Sequence, residues 1–360
     1  MDVNLDYVDP ALAKQTVFEA EFGYFSDRRL AVSAYDSALV LPGCPQGGGV
    51  IGSDGKLVDC SVVQNGWPKG GFYESGPVES VDEEVVYLGM FYSCWGHAIT
   101  DNLKHLWFFG DASVDAQIKR LKFIYTMTHI GPDLPRNFLR ILELLGFGPD
   151  RIVRINRPTR FRRVYVPDPC YGPVKPGTPY RYTREYGRLI SAVIAAVGTE
   201  NGPVDRSVYF TRTGWKLDRA EGESRVEKVF RDLGYEIVRP ERLTFDEMVR
   251  LLSRVRNFAA TDGSCAHNAV FLQEGSRAVV VRKAKYCNFY QAIIGQVRRL
   301  DTVYIDANRS DRLRYERIPT FGPFFLYVNE RLAAFAGIRP HFPRLAYCAY
   351  ALRSMLKGKG

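Results

Sequence analysis

Apolar residues fall into short continuous runs bounded by glycine and proline, alternating with stretches where they recur three and four positions apart. The second half of the chain is the more regular. Ser207 to Thr211 is β-branched and aromatic and reads as a strand. Arg225 to Leu233 has helical periodicity and stops at Gly234, a helix-ending glycine. Tyr235 to Val238 is a second strand, closed by Pro240. Thr244 reads as an N-cap whose capping box is completed by Glu247, opening a helix with Phe245, Met248, Val249, Leu251 and Leu252. Asn257 to Thr261 is a third strand, and Asp262-Gly263-Ser264 is a turn feeding a helix through Leu272. Ala278 to Val281 is a fourth strand, Tyr286 to Val297 a helix and Thr302 to Ile305 a further strand. This alternation predicts a parallel sheet covered by helices on both faces.

The first half is less regular but has the same grammar. Val85 to Leu88 is a strand leading into a helix around His97. Phe123 to Thr126 is a strand, and Phe138 to Leu145 is a helix ending at Gly146. Leu41 to Val50 reads as a loop whose glycines do not form a dinucleotide-binding turn. Pro167 to Pro179 is rich in proline and glycine and reads as a linker, followed by a helix from Arg184 to Val197.

Two places carry chemistry. His97 and Asp101, four residues apart in an otherwise apolar run, share one helix face, as a general base and its partner would. Which of the two takes a proton stays open, and a histidine merely satisfied by hydrogen bonds fits the same spacing. The second place is the carboxyl ends of the later strands, where open α/β sheets bind ligands. Arg212 leaves its strand there, Arg219 lies on the next loop, and Gly263-Ser264 offers backbone N–H groups at a helix start. Guanidinium groups suit phosphate. Asp262 either accepts a ribose hydroxyl or makes the turn. His267 and Asn268 either hold a nucleoside or pack. Glu223 is either a ligand group or a first-turn glutamate.

The order Ser207-Val-Tyr-Phe-Thr-Arg212, a basic loop, Arg219-x-x-x-Glu223, a helix, then Gly234-Tyr-Glu-Ile-Val-x-Pro-Glu241, a second helix and Gly263-Ser-Cys-Ala-His-Asn268 resembles the catalytic domain of family 61 glycosyltransferases, in particular the bacterial capsular-polysaccharide type. Trp95-Gly96-His97 with Asp101 resembles that family's upstream element, and Arg162 to Pro169 its intervening strand and turn. The family's Asn-Glu pair stands here as Gly222-Glu223, and its Gly-Ala-Gly-Leu-Thr-Asn form as Gly263-Ser-Cys-Ala-His-Asn268. The resemblance implies an α/β protein with two facing Rossmann-like domains of GT-B type and a nucleotide-sugar cleft between them. It implies an inverting transfer without a metal or other cofactor, and the chain contains no Asp-x-Asp triplet. His97 and Asp101 would activate the acceptor, and Arg212, Arg219, Glu223, Asp262, Gly263, Ser264, His267 and Asn268 would hold the donor. The domains are expected at 1–180 (acceptor side, with the base), 181–310 (nucleotide-sugar) and 311–360, a helical tail packing back on the first.

Composition changes this picture little. At 360 residues, 46% hydrophobic and 25% charged, the chain can bury two cores. A net charge of +9 suits an acidic substrate, an anionic membrane surface or nucleic acid. Seven dispersed cysteines and five dispersed histidines lack zinc-ligand spacing. The odd cysteine count and the acidic start, Met1 to Tyr7, point to the cytoplasm, with the basic tail touching the inner face of the membrane. The partners expected are a nucleotide-sugar and a saccharide or lipid-linked acceptor in cell-surface polysaccharide synthesis. The alternative is a non-enzymatic basic module for nucleic acid or an anionic polymer.

Overall fold

The structure is a computed structural model that describes residues 3–10, 23–43, 47–62, 76–128, 134–173, 180–199, 202–214, 220–283, 288–308 and 324–357. The chain divides into two compact units, one of Gly23–Gly198 and one joining Met1–Phe22 to Thr199–Gly360.

The unit containing Thr199–Gly360 is built on a six-stranded sheet. Its strands run in the order Val3–Tyr7, Asp301–Asp306, Arg277–Arg282, Val255–Thr261, Arg206–Phe210, Glu236–Val238, and every pairing is parallel. Helices Glu223–Asp232, Phe245–Leu252 and Phe289–Val297 connect them. Residues 278–281 are buried without alternation, as a strand covered on both faces requires. The helix Glu223–Asp232 ends as the sequence indicates, with Gly234 at φ 85° and the Tyr235 N–H bonded to the Phe230 carbonyl. The Thr244–Glu247 capping box is formed in both directions. After Arg206–Phe210 the chain pairs Glu236–Val238 on one side, then crosses back to lay Val255–Thr261 on the other. The sheet order therefore reverses between Arg206–Phe210 and Val255–Thr261, which makes their carboxyl ends the switch point.

The described part of the tail belongs to this same unit rather than to Gly23–Gly198. Its helix Glu330–Ala336 buries Leu332 and Ala333 in the core shared with Val303 and Ile305. Phe335 meets the Tyr7 ring edge-on, Phe325 packs on Tyr347 and Tyr350, and Arg353 pairs with Glu221.

Unit Gly23–Gly198 departs from an all-parallel sheet. Ile152–Arg154, Lys122–Met127, Glu79–Phe91 and Thr159–Pro167 are parallel neighbours, but Val32–Asp36 and Leu39–Leu41 add antiparallel to Thr159–Pro167, and Gly49–Ile51 to Leu39–Leu41. Ser37, at φ 50°, makes the corner that lets one long strand hold two short ones. The expected loop around Leu41 to Val50 is thus flanked by strands. The expected linker also carries structure: Tyr171–Pro173 pairs antiparallel with Tyr180–Tyr182, which pairs parallel with Gly23–Phe25. The helix Arg184–Val197 that follows stays in this unit.

Candidate functional site

The long strand Glu79–Phe91 delivers the chain to Tyr92. From there the backbone makes a helical turn, Trp95–Ala98, then 3-10 turns at Asp101–Leu103 and Leu106–Gly110, in place of the single helix expected. Thr100, at φ −118° and ψ −82°, breaks the helix. The i, i+4 relation survives across the break. Nδ1 of His97 lies 2.5 Å from Oδ2 of Asp101, and the Thr100 hydroxyl donates to the same oxygen at 3.2 Å. The Tyr92 ring stacks on the imidazole, centroids 4.2 Å apart at 19°. Asn102 clamps Tyr92 in turn, accepting its N–H at 2.8 Å and donating to its carbonyl at 3.0 Å.

Exposure separates the roles. The His97 side chain is 32% exposed and that of Asp101 only 6%. A buried carboxylate on Nδ1 sets the tautomer and the ring plane, and turns Nε2 into the basic nitrogen. Lys104 is buried nearby, its ammonium pushed down in pKa by burial and held up in part by the Asp101 charge. His105 is buried with Nδ1 2.7 Å from the Pro167 carbonyl, and burial drives its pKa down to about 3. It is therefore a neutral structural residue. The signals for Tyr92, Thr100 and Asn102 were in the sequence as polar residues within an apolar run, but their contacts are not periodic.

At the switch point, Glu223 opens its helix and is 2% exposed. Its Oε1 accepts from the Tyr209 hydroxyl at 3.2 Å, the Arg212 N–H at 3.1 Å and the Thr261 hydroxyl at 3.4 Å. One carboxylate thereby ties the ends of the two switch-point strands together. Its neighbour Gly222 sits at φ 93°, and a Cβ there would lie 2.0 Å from the Leu326 carbonyl oxygen. A side chain here would force the backbone to move, so glycine rather than the asparagine of the resembling pattern suits this position. Arg212 is half-buried at the rim. Arg219 lies outside the described residues.

Gly263 turns at φ 109°, and its added Cβ would stand 3.6 Å from Lys283 Nζ. Lys283 follows strand Arg277–Arg282 and lies over the Phe324 ring at 5.1 Å. Burial pushes the Cys265 thiol up in pKa, Glu223 adds to this, and the Arg212 and Lys283 charges oppose it. Both cations thus act on one point at this rim. Lys283 was missed in the sequence, although the strand-end rule that selects Arg212 selects it equally. Ser264 is exposed, and Asp262 is 6% exposed with Oδ1 lacking a hydrogen-bond partner among the described residues.

The element after this turn is a 3-10 helix of six residues, Ala266–Phe271. Its short run of aligned peptides carries less dipole than the helix expected, so positive charge here comes chiefly from side chains. His267 is taken up by the fold: Nδ1 is 3.0 Å from Gln291 Oε1, Nε2 is 3.3 Å from Asn288 Nδ2, and the residue is buried. Asn268 donates to the Ser264 and Cys265 carbonyls and closes the turn. Both side chains hold the turn and the helix start at Asn288 in place.

Comparison with families of known proteins matches residues 95–280 to the family described as Glycosyltransferase 61. The matched span takes in His97, Asp101, Arg212, Glu223 and Asp262, and stops short of Lys283. No curated protein matches the chain.

Proposed function

The chain belongs to the Glycosyltransferase 61 family, and on that premise we infer that it transfers a sugar from a nucleotide-sugar to a glycan or lipid-linked acceptor, with inversion at the anomeric carbon. His97 Nε2 takes the proton of the acceptor hydroxyl while Asp101 holds Nδ1–H and stabilises the imidazolium that forms. The acceptor oxygen forms the new bond to the anomeric carbon. The bond from that carbon to the diphosphate breaks, and its electron pair leaves with the diphosphate. Arg212 and Lys283 neutralise that charge at the switch point, without a metal ion in this reading. Asp262 Oδ1 is the group poised to accept a donor hydroxyl.

The observation that carries the reading is the His97–Asp101 pair, a buried carboxylate on a partly exposed imidazole. Cell-surface polysaccharide synthesis at the cytoplasmic face of the membrane is the setting that fits such an acceptor. The test is a thermal-shift screen of the purified chain against UDP, GDP, CMP, dTDP and their sugars, with and without EDTA. A ligand that binds the native state raises the melting temperature by mass action. A nucleotide-specific rise that persists in EDTA supports the reading and names the donor class. No rise with any nucleotide, together with salt-sensitive binding to anionic polymers, replaces it with the polymer-binding alternative.

A further inference from the structure

Among the described residues of unit Gly23–Gly198, two cavities with charged linings differ in one respect. The larger, about 610 Å³, lies on the sheet, and its carboxylates are already paired, Glu79 with Arg157 at 2.6 Å and Glu83 with Lys122 at 2.7 Å. The smaller, about 360 Å³, lies between the 3-10 helix Leu106–Gly110, the end of helix Arg136–Leu144 and helix Arg184–Val197. Trp107, Phe109 and Phe147 line it together with Asp111, Glu185 and Arg188. Here a carboxylate is left incomplete. Oε1 of Glu185 is 3.7 Å from Arg184, but Oε2 is buried and has no hydrogen-bond partner among the described residues. An uncompensated buried acceptor destabilises the fold, a cost that a bound donor group removes.

We propose that this cavity is a saccharide subsite for the acceptor, an inference that rests on the transferase reading. Its size is at the lower end of the small-ligand range of roughly 300–1,000 Å³, which suits a single sugar residue. Its chemistry is two-sided in the way a pyranose is. Aromatic and aliphatic side chains meet the C–H face, Glu185 and Asp111 accept from hydroxyls, and Arg188 donates to them. The Trp107 indole is fixed, because its Nε1 donates to the Asp168 carbonyl at 2.7 Å. The cavity is also wired to the catalytic pair. Tyr186, next to Glu185, donates its hydroxyl to the Ile99 carbonyl at 2.8 Å, between His97 and Asp101. An occupant that orders the start of helix Arg184–Val197 thereby steadies the turn that carries the base.

The experiment is saturation-transfer NMR on the full chain with millimolar methyl glycosides of glucose, galactose, mannose and N-acetylglucosamine. It compares the wild type with Ala192→Trp, which fills the cavity from an exposed position on its wall, and with Arg188→Glu. The expected result is transfer to at least one glycoside, reduced at least tenfold in both variants, while the thermal shift produced by the nucleotide diphosphate is unchanged. Transfer that persists in both variants, or no transfer to any glycoside in the wild type, overturns the subsite. If no nucleotide shifts the wild-type melting temperature, the transferase reading fails separately, whatever the glycosides do.

Discussion

Glu223 accepts the backbone N–H of Arg212 at 3.1 Å, so the residue that opens one helix sets the position of the cation leaving the neighbouring strand. The same oxygen receives the Tyr209 and Thr261 hydroxyls, which makes Glu223 a positioning residue. Glu223→Ala is expected to cost about 2–3 kcal/mol of stability, because it strands buried donors. Glu223→Gln keeps an acceptor oxygen for the Arg212 N–H and should recover most of that stability, whereas in Glu223→Ala the KM for the donor should rise as well, because Arg212 loses its fixed place. Chemical denaturation and donor titration separate the two effects. Equal stability and equal KM in all three proteins would remove the role.

For the base, His97→Ala is expected to lower kcat about 10²- to 10⁴-fold. Asp101→Asn should fall in the same range, because an amide facing Nδ1 no longer dictates the tautomer. Donor affinity, read by thermal shift, should be unchanged in both. Full activity in either variant would move the base elsewhere.

At the other end of the reaction, Lys283→Ala and Arg212→Ala should each lose about 3–4 kcal/mol of transition-state stabilisation and weaken donor binding. Lys283→Arg keeps the charge over Phe324 and should restore part of the loss. Steady-state kinetics in nucleotide-sugar decide this. An unaffected Lys283→Ala would leave Arg212 without this partner.

The strands Ser207–Thr211, Asn257–Thr261 and Ala278–Val281 were legible because a parallel strand buried on both faces is an uninterrupted apolar run, and the Thr244–Glu247 cap because its partners are three residues apart. His97 and Asp101 were legible for the same local reason. Glu223 to Thr261 and Gly263 to Lys283 are relationships across strands, and no periodicity encodes them. The antiparallel edge at Val32–Asp36 escaped because its register rests on a corner at Ser37, which no glycine or proline marks. The helix expected around His97 broke at Thr100, whose hydroxyl bonds the Gly96 carbonyl and Asp101 instead of leaving the backbone to propagate.

Gly222→Ala tests the departure from the resembling Asn-Glu pattern. The residue needs φ 93° and has the Leu326 carbonyl against it, so even a methyl group forces backbone movement. A loss of at least about 2 kcal/mol is expected. Thermal unfolding measures it, and a neutral substitution would mean that the helix start can shift away from Leu326.

Stability should also fall in mild acid through His105, where no catalytic group is involved. Burial is the first cause that drives its pKa down from 6.5 to about 3, the Lys104 charge adds to it, and the bond to the Pro167 carbonyl opposes it. Below pH 6.5 the unfolded chain takes up a proton that the folded chain refuses, so the equilibrium tilts towards unfolding. The contribution is fully present above 6.5, shrinks as the pH falls, and is exhausted near 3, where the folded state binds the proton as well. Other groups titrate in the same window, so the measurement is a difference. Unfolding free energies of the wild type and His105→Gln are compared from about pH 6 down to about pH 4, where one proton is worth about 1.4 kcal/mol per pH unit. Glutamine keeps an N–H for the Pro167 carbonyl but does not titrate, so the variant's curve should be flatter by close to that slope. Parallel curves would show that His105 can take up its proton in the folded state, and that the Lys104 neighbourhood is open to water.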